Sequence, residues 1–190
     1  RNWSKTSLAQ PSDDAMGMAF SSYDPQLAFA AGHDTFFKST DGGQNWTALR
    51  LSFSRRDIHG LAVLPGLPAS VVANVVGLGL FRSDDAGVNW SKINQQGFPP
   101  DVIQLSAATE LVIYAASPSV GIVRSDDGGV HFTVAARPPG ISLTVATSAA
   151  DPETVYVGTD RGLQASSDGG RTWTPRTVPN GSQVMASAVN

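Results

Sequence analysis

The apolar residues of this chain fall in short runs, cut by Gly, Pro, Asp and Ser. Between Ser142 and Thr177 the runs read SLTVATSA, TVYVGT, GLQASS and TWTPRT. Between His59 and Asn94 they read HGLAVL, SVVANVV, GLGLFRS and NWSKIN. Val, Ile, Thr, Tyr and Phe dominate, and the lengths suit strands rather than helices. Each set therefore predicts four short strands. The first two are joined by turns such as SYDPQ (Ser22–Gln26) and AADPE (Ala149–Glu153). Asp-Pro favours a tight turn, because Pro sets φ and Asp can accept a bond from the backbone ahead of it.

One uncharged stretch, Gly60 to Phe81, is long enough to suggest a membrane span. It is broken by Pro65, Gly66, Pro68, Gly77 and Gly79. Such punctuation marks turns, so two strands and a turn are expected here and no membrane span.

The strand sets recur. Lys38–Trp46 reads KSTDGGQNW, Arg82–Trp90 RSDDAGVNW, Arg124–Phe132 RSDDGGVHF and Ala165–Trp173 ASSDGGRTW. The chain opens on RNWSK and repeats it nearly as VNWSK at Val88–Lys92. The closing aromatics, Trp3, Trp46, Trp90, Phe132 and Trp173, are spaced by 43, 44, 42 and 41 residues. A four-stranded unit with a period of about 42 residues is the signature of a β-propeller blade. The expected fold is all-β, a propeller of four-stranded antiparallel blades. Blades are expected at roughly 9–51, 52–95, 96–136 and 137–178, with partial blades at 1–8 and 179–190. A chain that starts inside a motif is expected to be a piece of a larger propeller, completed by further chain or another subunit. Stretches 2–8 and 183–189 have the patterns of an outer and an inner strand. Contact between Trp3 and Met185 would instead indicate a compact ring.

The recurring string resembles the Asp-box (BNR repeat), S-x-D-x-G-x-[TN]-[WF]. It matches at Ser39, Asp41, Gly43 and Trp46; at Ser83, Asp85, Gly87 and Trp90; at Ser125, Asp127, Gly129 and Phe132; and at Ser166, Asp168, Gly170 and Trp173. The third copy departs by having His131 and Phe132. Physically the string suits a hairpin cap between strands three and four: Asp accepts backbone N–H groups, Gly permits positive φ, and the aromatic folds onto the sheet. The resemblance implies that these turns lie on the face opposite the usual binding site. It also implies kinship with sialidase-like and glycosyl-hydrolase-like bacterial propellers, with the photosystem II assembly propeller and with sortilin-like receptors.

Composition narrows the reading further. Charged residues are 15% of the chain, against a typical ~25%. The formal net charge of −3 is not concentrated in blocks, so no nucleic-acid or anionic-membrane surface is expected. There is no cysteine, which removes disulfides and thiolate metal sites. An extracytoplasmic location follows from the resemblance alone.

In a propeller, the loops leading into strand one and those between strands two and three share one face, called here the leading face. Asp14, Asp57 and Asp101 precede the first strands of three repeats, and Gly140 takes that place in the fourth. His59 stands in the first strand of repeat two. His33-Asp34 and Asp160-Arg161 occupy the loops between strands two and three of repeats one and four. These residues are the ligand-binding candidates. Imidazole with carboxylate suits zinc or another divalent ion; carboxylates alone suit a sugar or a hard cation. The alternative, favoured by how readily Asp occupies turns, is that these aspartates start the inner strands as solvated turn formers. No other cofactor is implied.

Glycosidase chemistry usually needs two carboxylates about 5 to 9.5 Å apart across a cleft. The two glutamates, Glu110 and Glu153, fall in turns between strands one and two, on the opposite face. Lys38, Arg82 and Arg124 are repeat-equivalent and suit a structural or side-surface row rather than a substrate cluster. The Gly77–Gly79 pair starts a strand, not the helix of a dinucleotide fingerprint. Two functions stay open: a non-catalytic binding or assembly propeller for a protein or carbohydrate ligand, and a glycoside hydrolase with part of its site on further blades.

Overall fold

A computed structural model describes residues 15–51, 57–67, 69–178 and 183–184. Sixteen strands form four antiparallel sheets of four, each ordered as in the chain. Blade one holds β1 (Ala15–Phe20), β2 (Ala28–Gly32), β3 (Phe36–Ser39) and β4 (Thr47–Ala48). Blade two holds β5 (Ile58–Val63), β6 (Val71–Val75), β7 (Gly79–Ser83) and β8 (Ser91–Lys92). Blade three holds β9 (Gln104–Ala107), β10 (Ile113–Ser117), β11 (Gly121–Ser125) and β12 (Thr133–Val134). Blade four holds β13 (Ser142–Thr147), β14 (Val155–Thr159), β15 (Gly162–Ser166) and β16 (Thr174–Arg176). No helix among the described residues is long and apolar enough to cross a membrane.

Strand β6 shows why the apolar runs are unbroken. Its side chains alternate between two faces, and both faces are covered. Val71, Ala73 and Val75 pack with Phe29, Ala31 and Phe36 of blade one. Val72 packs with Leu105, Ile113, Ala115 and Val123 of blade three. The next interface joins Tyr114, Ala116 and Ile122 to Val145, Val155 and Val157 of blade four. The uncharged stretch from Gly60 thus supplies β5, β6 and the start of β7.

The inner strands line a central cavity of about 440 Å³, with Leu61, Leu105 and Val145 among its walls. Polar side chains tie the blades there. Val145 N–H donates to Gln104 Oε1 at 3.1 Å, and Thr147 N–H donates to Ser106 Oγ at 3.1 Å. On β1, Met16, Met18 and Phe20 are exposed, and Met18 and Phe20 border this cavity.

The fourth strands are shorter than the sequence runs suggest. β4, β8 and β12 have two residues each, and β16 starts after Trp173. The box aromatic precedes the strand because its ring folds back into the turn. Trp46 and Phe132 are buried, whereas Trp90 and Trp173 are half-buried. The expected relation of Trp3 to Met185 lies outside the described residues. Next to Met185, Val184 donates its N–H to the Thr159 carbonyl of blade four at 3.0 Å.

Candidate functional site

Antiparallel neighbours put the loop before strand one and the loop between strands two and three at one end of a blade. The turn between strands one and two and the Asp-box lie at the other end. The two ends differ in kind.

At the box end one hairpin is built four times. In blade one, Ser39 Oγ donates to Asp41 Oδ1 at 2.8 Å and accepts the Gly43 N–H at 2.9 Å. Asp41 also accepts the Asn45 N–H and side-chain amide at 2.8 and 2.7 Å. Blade two repeats this set on Asp85. Thr172 replaces the amide on Asp168. In the divergent third copy, His131 takes the same role: its N–H donates to Asp127 Oδ1 and its Nδ1 lies 2.6 Å from Oδ2. Four hydrogen-bonded carboxylates result, each with its pKa lowered from the usual 3.8 to about 2. The backbone bond from the residue four positions on is the largest cause for Asp41, Asp85 and Asp127, and the Thr172 hydroxyl is the largest for Asp168. A carboxylate so occupied is a turn fastener, with its acceptors committed to its own hairpin.

The leading end breaks the repeat. In blade one, the tight turn after β2 places His33 beside blade two. Gly32 N–H donates to Thr35 O at 3.2 Å, and Asp34 adopts φ of 56°. In blade two, the Asp57 carbonyl accepts the Val76 N–H at 2.8 Å, fixing the lead-in to β5. The pairing of β5 with β6 then slips between Ile58 and Gly60, as the first strands of blades one and four do at the equivalent place, so His59 sits at a β-bulge. Bulges re-aim side chains and recur beside functional sites. His59 Nε2 lies 2.9 Å from Asp57 Oδ1, and His33 Nε2 lies 3.6 Å from the same oxygen. The imidazole rings meet edge-on, with centroids 5.6 Å apart.

The other candidates are separate from this group. Asp101 is held in its own blade, accepting Ser117 Oγ at 2.6 Å and the Ser119 N–H at 2.9 Å. Burial pushes its carboxyl up, but these bonds outweigh burial and hold it below the usual range. Asp160 accepts the Ile141 N–H at 2.7 Å, and Arg161 is exposed next to it. Asp14 lies outside the described residues.

Sequence reasoning missed a second polar cluster, at the box end between blades three and four. Arg124 donates to Glu153, Asp126 and the Tyr114 hydroxyl at 2.7, 2.8 and 2.9 Å. Tyr114 in turn donates to the Pro152 carbonyl at 3.1 Å. Its phenol is pushed up to about 12, chiefly by burial. The row containing Arg82 and Arg124 is thus anchored at both: Arg82 pairs with Asp84 at 2.8 Å. An Arg in strand three with an acidic residue two positions on was the available signal.

Four sequential blades, each closed by this hairpin, define an Asp-box β-propeller. The BNR/Asp-box repeat family matches residues 37–48, the box of blade one. Among curated proteins none matches the chain significantly. Solved propellers do. YCF48 bound to a D1 peptide is 17% identical over 84% of this chain and 52% of its own, with TM-score 0.63. A GH74 enzyme from Niastella koreensis is 25% identical over 86% of this chain and 24% of its own, with TM-score 0.66. The WD40 repeats of RRP9 are 15% identical over 89% of this chain and 53% of their own, with TM-score 0.62. The chain therefore spans about half of YCF48 and a quarter of the enzyme.

Proposed function

We propose that this chain is a binding or assembly propeller, and that its ligand or protein partner sits on the leading face. The observation that carries this reading is the contrast between the two ends. The box end repeats one internally satisfied hairpin, whereas the leading end offers a different set of side chains at each blade. These are His33, Asp57 and His59 at blades one and two, Asp101 in blade three, and Asp160 with Arg161 in blade four. Distinct groups at distinct places are what selective recognition requires.

The D1 peptide bound by the YCF48 neighbour supports a peptide or protein partner. The family resemblance supports an extracytoplasmic location. The exposed Met16, Met18 and Phe20 on blade one support completion of the propeller by further chain or another subunit.

A glycoside hydrolase is the second reading, favoured by the Niastella koreensis enzyme. Glu153 argues against a contribution from its carboxylate here, since Arg124 already holds it. The two readings separate on one set of measurements. The intact chain is applied to peptide and glycan arrays and incubated with a xyloglucan oligosaccharide and a sialoside. Binding that falls in Arg161→Ala and persists in Asp126→Ala, with no turnover, is the expected result. Turnover lost in Asp57→Ala would overturn the binding reading.

A further inference from the structure

Two of the three histidines in this chain converge on one carboxylate. They come from different blades, and no other pair of blades repeats the arrangement among the described residues. Sequence distance gives no reason for them to meet. The packing of the β2–β3 turn against the lead-in of the neighbouring blade brings them together.

The pair His59 and Asp57 is close without being a hydrogen bond. Their atoms are 2.9 Å apart, yet Asp57 Oδ1 and His59 Nε2 are both buried and outside hydrogen-bond geometry. Buried polar atoms are normally paired, and exceptions point to a missing partner. Here the two atoms lie side by side, and His33 Nε2 lies 3.6 Å from the same Asp57 oxygen, coming from the other blade. A metal cation satisfies both buried atoms at once, with His33 Nε2 close enough to serve as a third donor.

We propose that His33, Asp57 and His59 bind a divalent first-row metal ion of the zinc type, clamped between blades one and two. The donor set, two imidazole nitrogens and one carboxylate oxygen, is that of three-ligand zinc sites. In tetrahedral zinc, donors lie about 2.0–2.2 Å from the metal and hence roughly 3.3 Å from one another. The distances of 2.9 and 3.6 Å bracket that spacing, and all three donor atoms lie within 4.8 Å of one another. The hard-cation alternative fits less well, because calcium and magnesium call for oxygen ligands. Three protein donors leave a fourth position, and the exposure of His33 turns it toward solvent. The ion so held is a point of attachment for a carboxylate or other anionic group.

The inference concerns the cation alone and does not depend on what docks on the leading face. Untagged chain is titrated with Co²⁺ as a spectroscopic substitute for zinc, and Zn²⁺ is then used to displace it. One Co²⁺ per chain is expected, with visible absorption of a four- or five-coordinate nitrogen–oxygen site that zinc abolishes. His33→Ala and His59→Ala should each weaken binding by at least roughly 100-fold, since even outer-shell changes cost 10–100-fold. His131→Ala, which removes the remaining histidine, should leave binding unchanged. His33 is exposed on a turn, so its variant keeps the test usable if the His59 variant fails to fold. Absence of the cobalt spectrum in the parent chain overturns the proposal. So does a spectrum that survives His33→Ala, or one that His131→Ala removes.

Discussion

Arg124 of blade three donates to Glu153 of blade four across 2.7 Å, and the two are 29 residues apart in the chain. The guanidinium also holds Asp126 and the Tyr114 hydroxyl, so one side chain fastens a strand to its own turn and to the neighbouring blade. Arg124→Ala should lower stability by about 1–3 kcal/mol, the usual cost of removing charged hydrogen bonds from a partly buried group. Tyr114→Phe should cost about 1–2 kcal/mol, because it strands the Pro152 carbonyl and one Arg124 donor. Equilibrium urea unfolding of both variants and the double variant checks this; simple addition of the two losses would show that they do not act as a network.

The box carboxylates make stability fall in acid. Asp41, Asp85, Asp127 and Asp168 each have a folded pKa of about 2, against the usual 3.8. A depressed folded pKa means that the unfolded chain binds the proton first. The contribution is therefore complete above about pH 4 and disappears as pH falls toward 2. Carboxyl-carbon chemical shifts followed against pH should give four midpoints near 2. Midpoints near 4 would show the hairpins to be open in solution.

The four box aromatics are not equivalent. Trp46→Ala should cost roughly 3–5 kcal/mol, as for buried aromatic truncations. Trp90 is half-buried, edge-on to Phe36 with centroids 5.3 Å apart, and its truncation should cost less. Thermal unfolding of the two single variants ranks them; a larger loss at Trp90 would contradict the burial order.

Gly87 tests the hairpin backbone. It adopts φ of 85°, and a Cβ there would approach Leu49 Cδ1 of blade one to 2.9 Å. Gly87→Ala should destabilise by about 1–3 kcal/mol through backbone strain and crowding. A neutral result in denaturant unfolding would mean that Leu49 and the turn yield together.

The blades and boxes were legible in the sequence because both are written in short-range terms. Ser83, Asp85, Gly87 and Asn89 interact within four residues of one another, so spacing alone reveals them. The leading face was legible as composition and not as geometry. Asp57, His59 and His33 stood out as candidates, but so did Asp101, whose serine partners Ser117 and Ser119 lie 16 and 18 residues away. What brings His33 to His59 is the packing of the β2–β3 turn against the lead-in of the neighbouring blade, and nothing in the string DIHGLAV marks it. Gln104 and Ser106 were equally silent: they read as ordinary strand residues until β13 lies beside them.

The same split in range sets an order of assembly. Each Asp-box hairpin closes through bonds spanning two to four residues, whereas the ties between β9 and β13 span 41. Short loops close at little entropic cost and long ones at more. Hairpins should form early and independently, and neighbouring blades should then zip together as in other repeat proteins. A chain built this way carries its kinetics in its punctuation: altering a box slows the birth of one blade, while altering Gln104 or Ser106 leaves every blade able to form and delays only their docking.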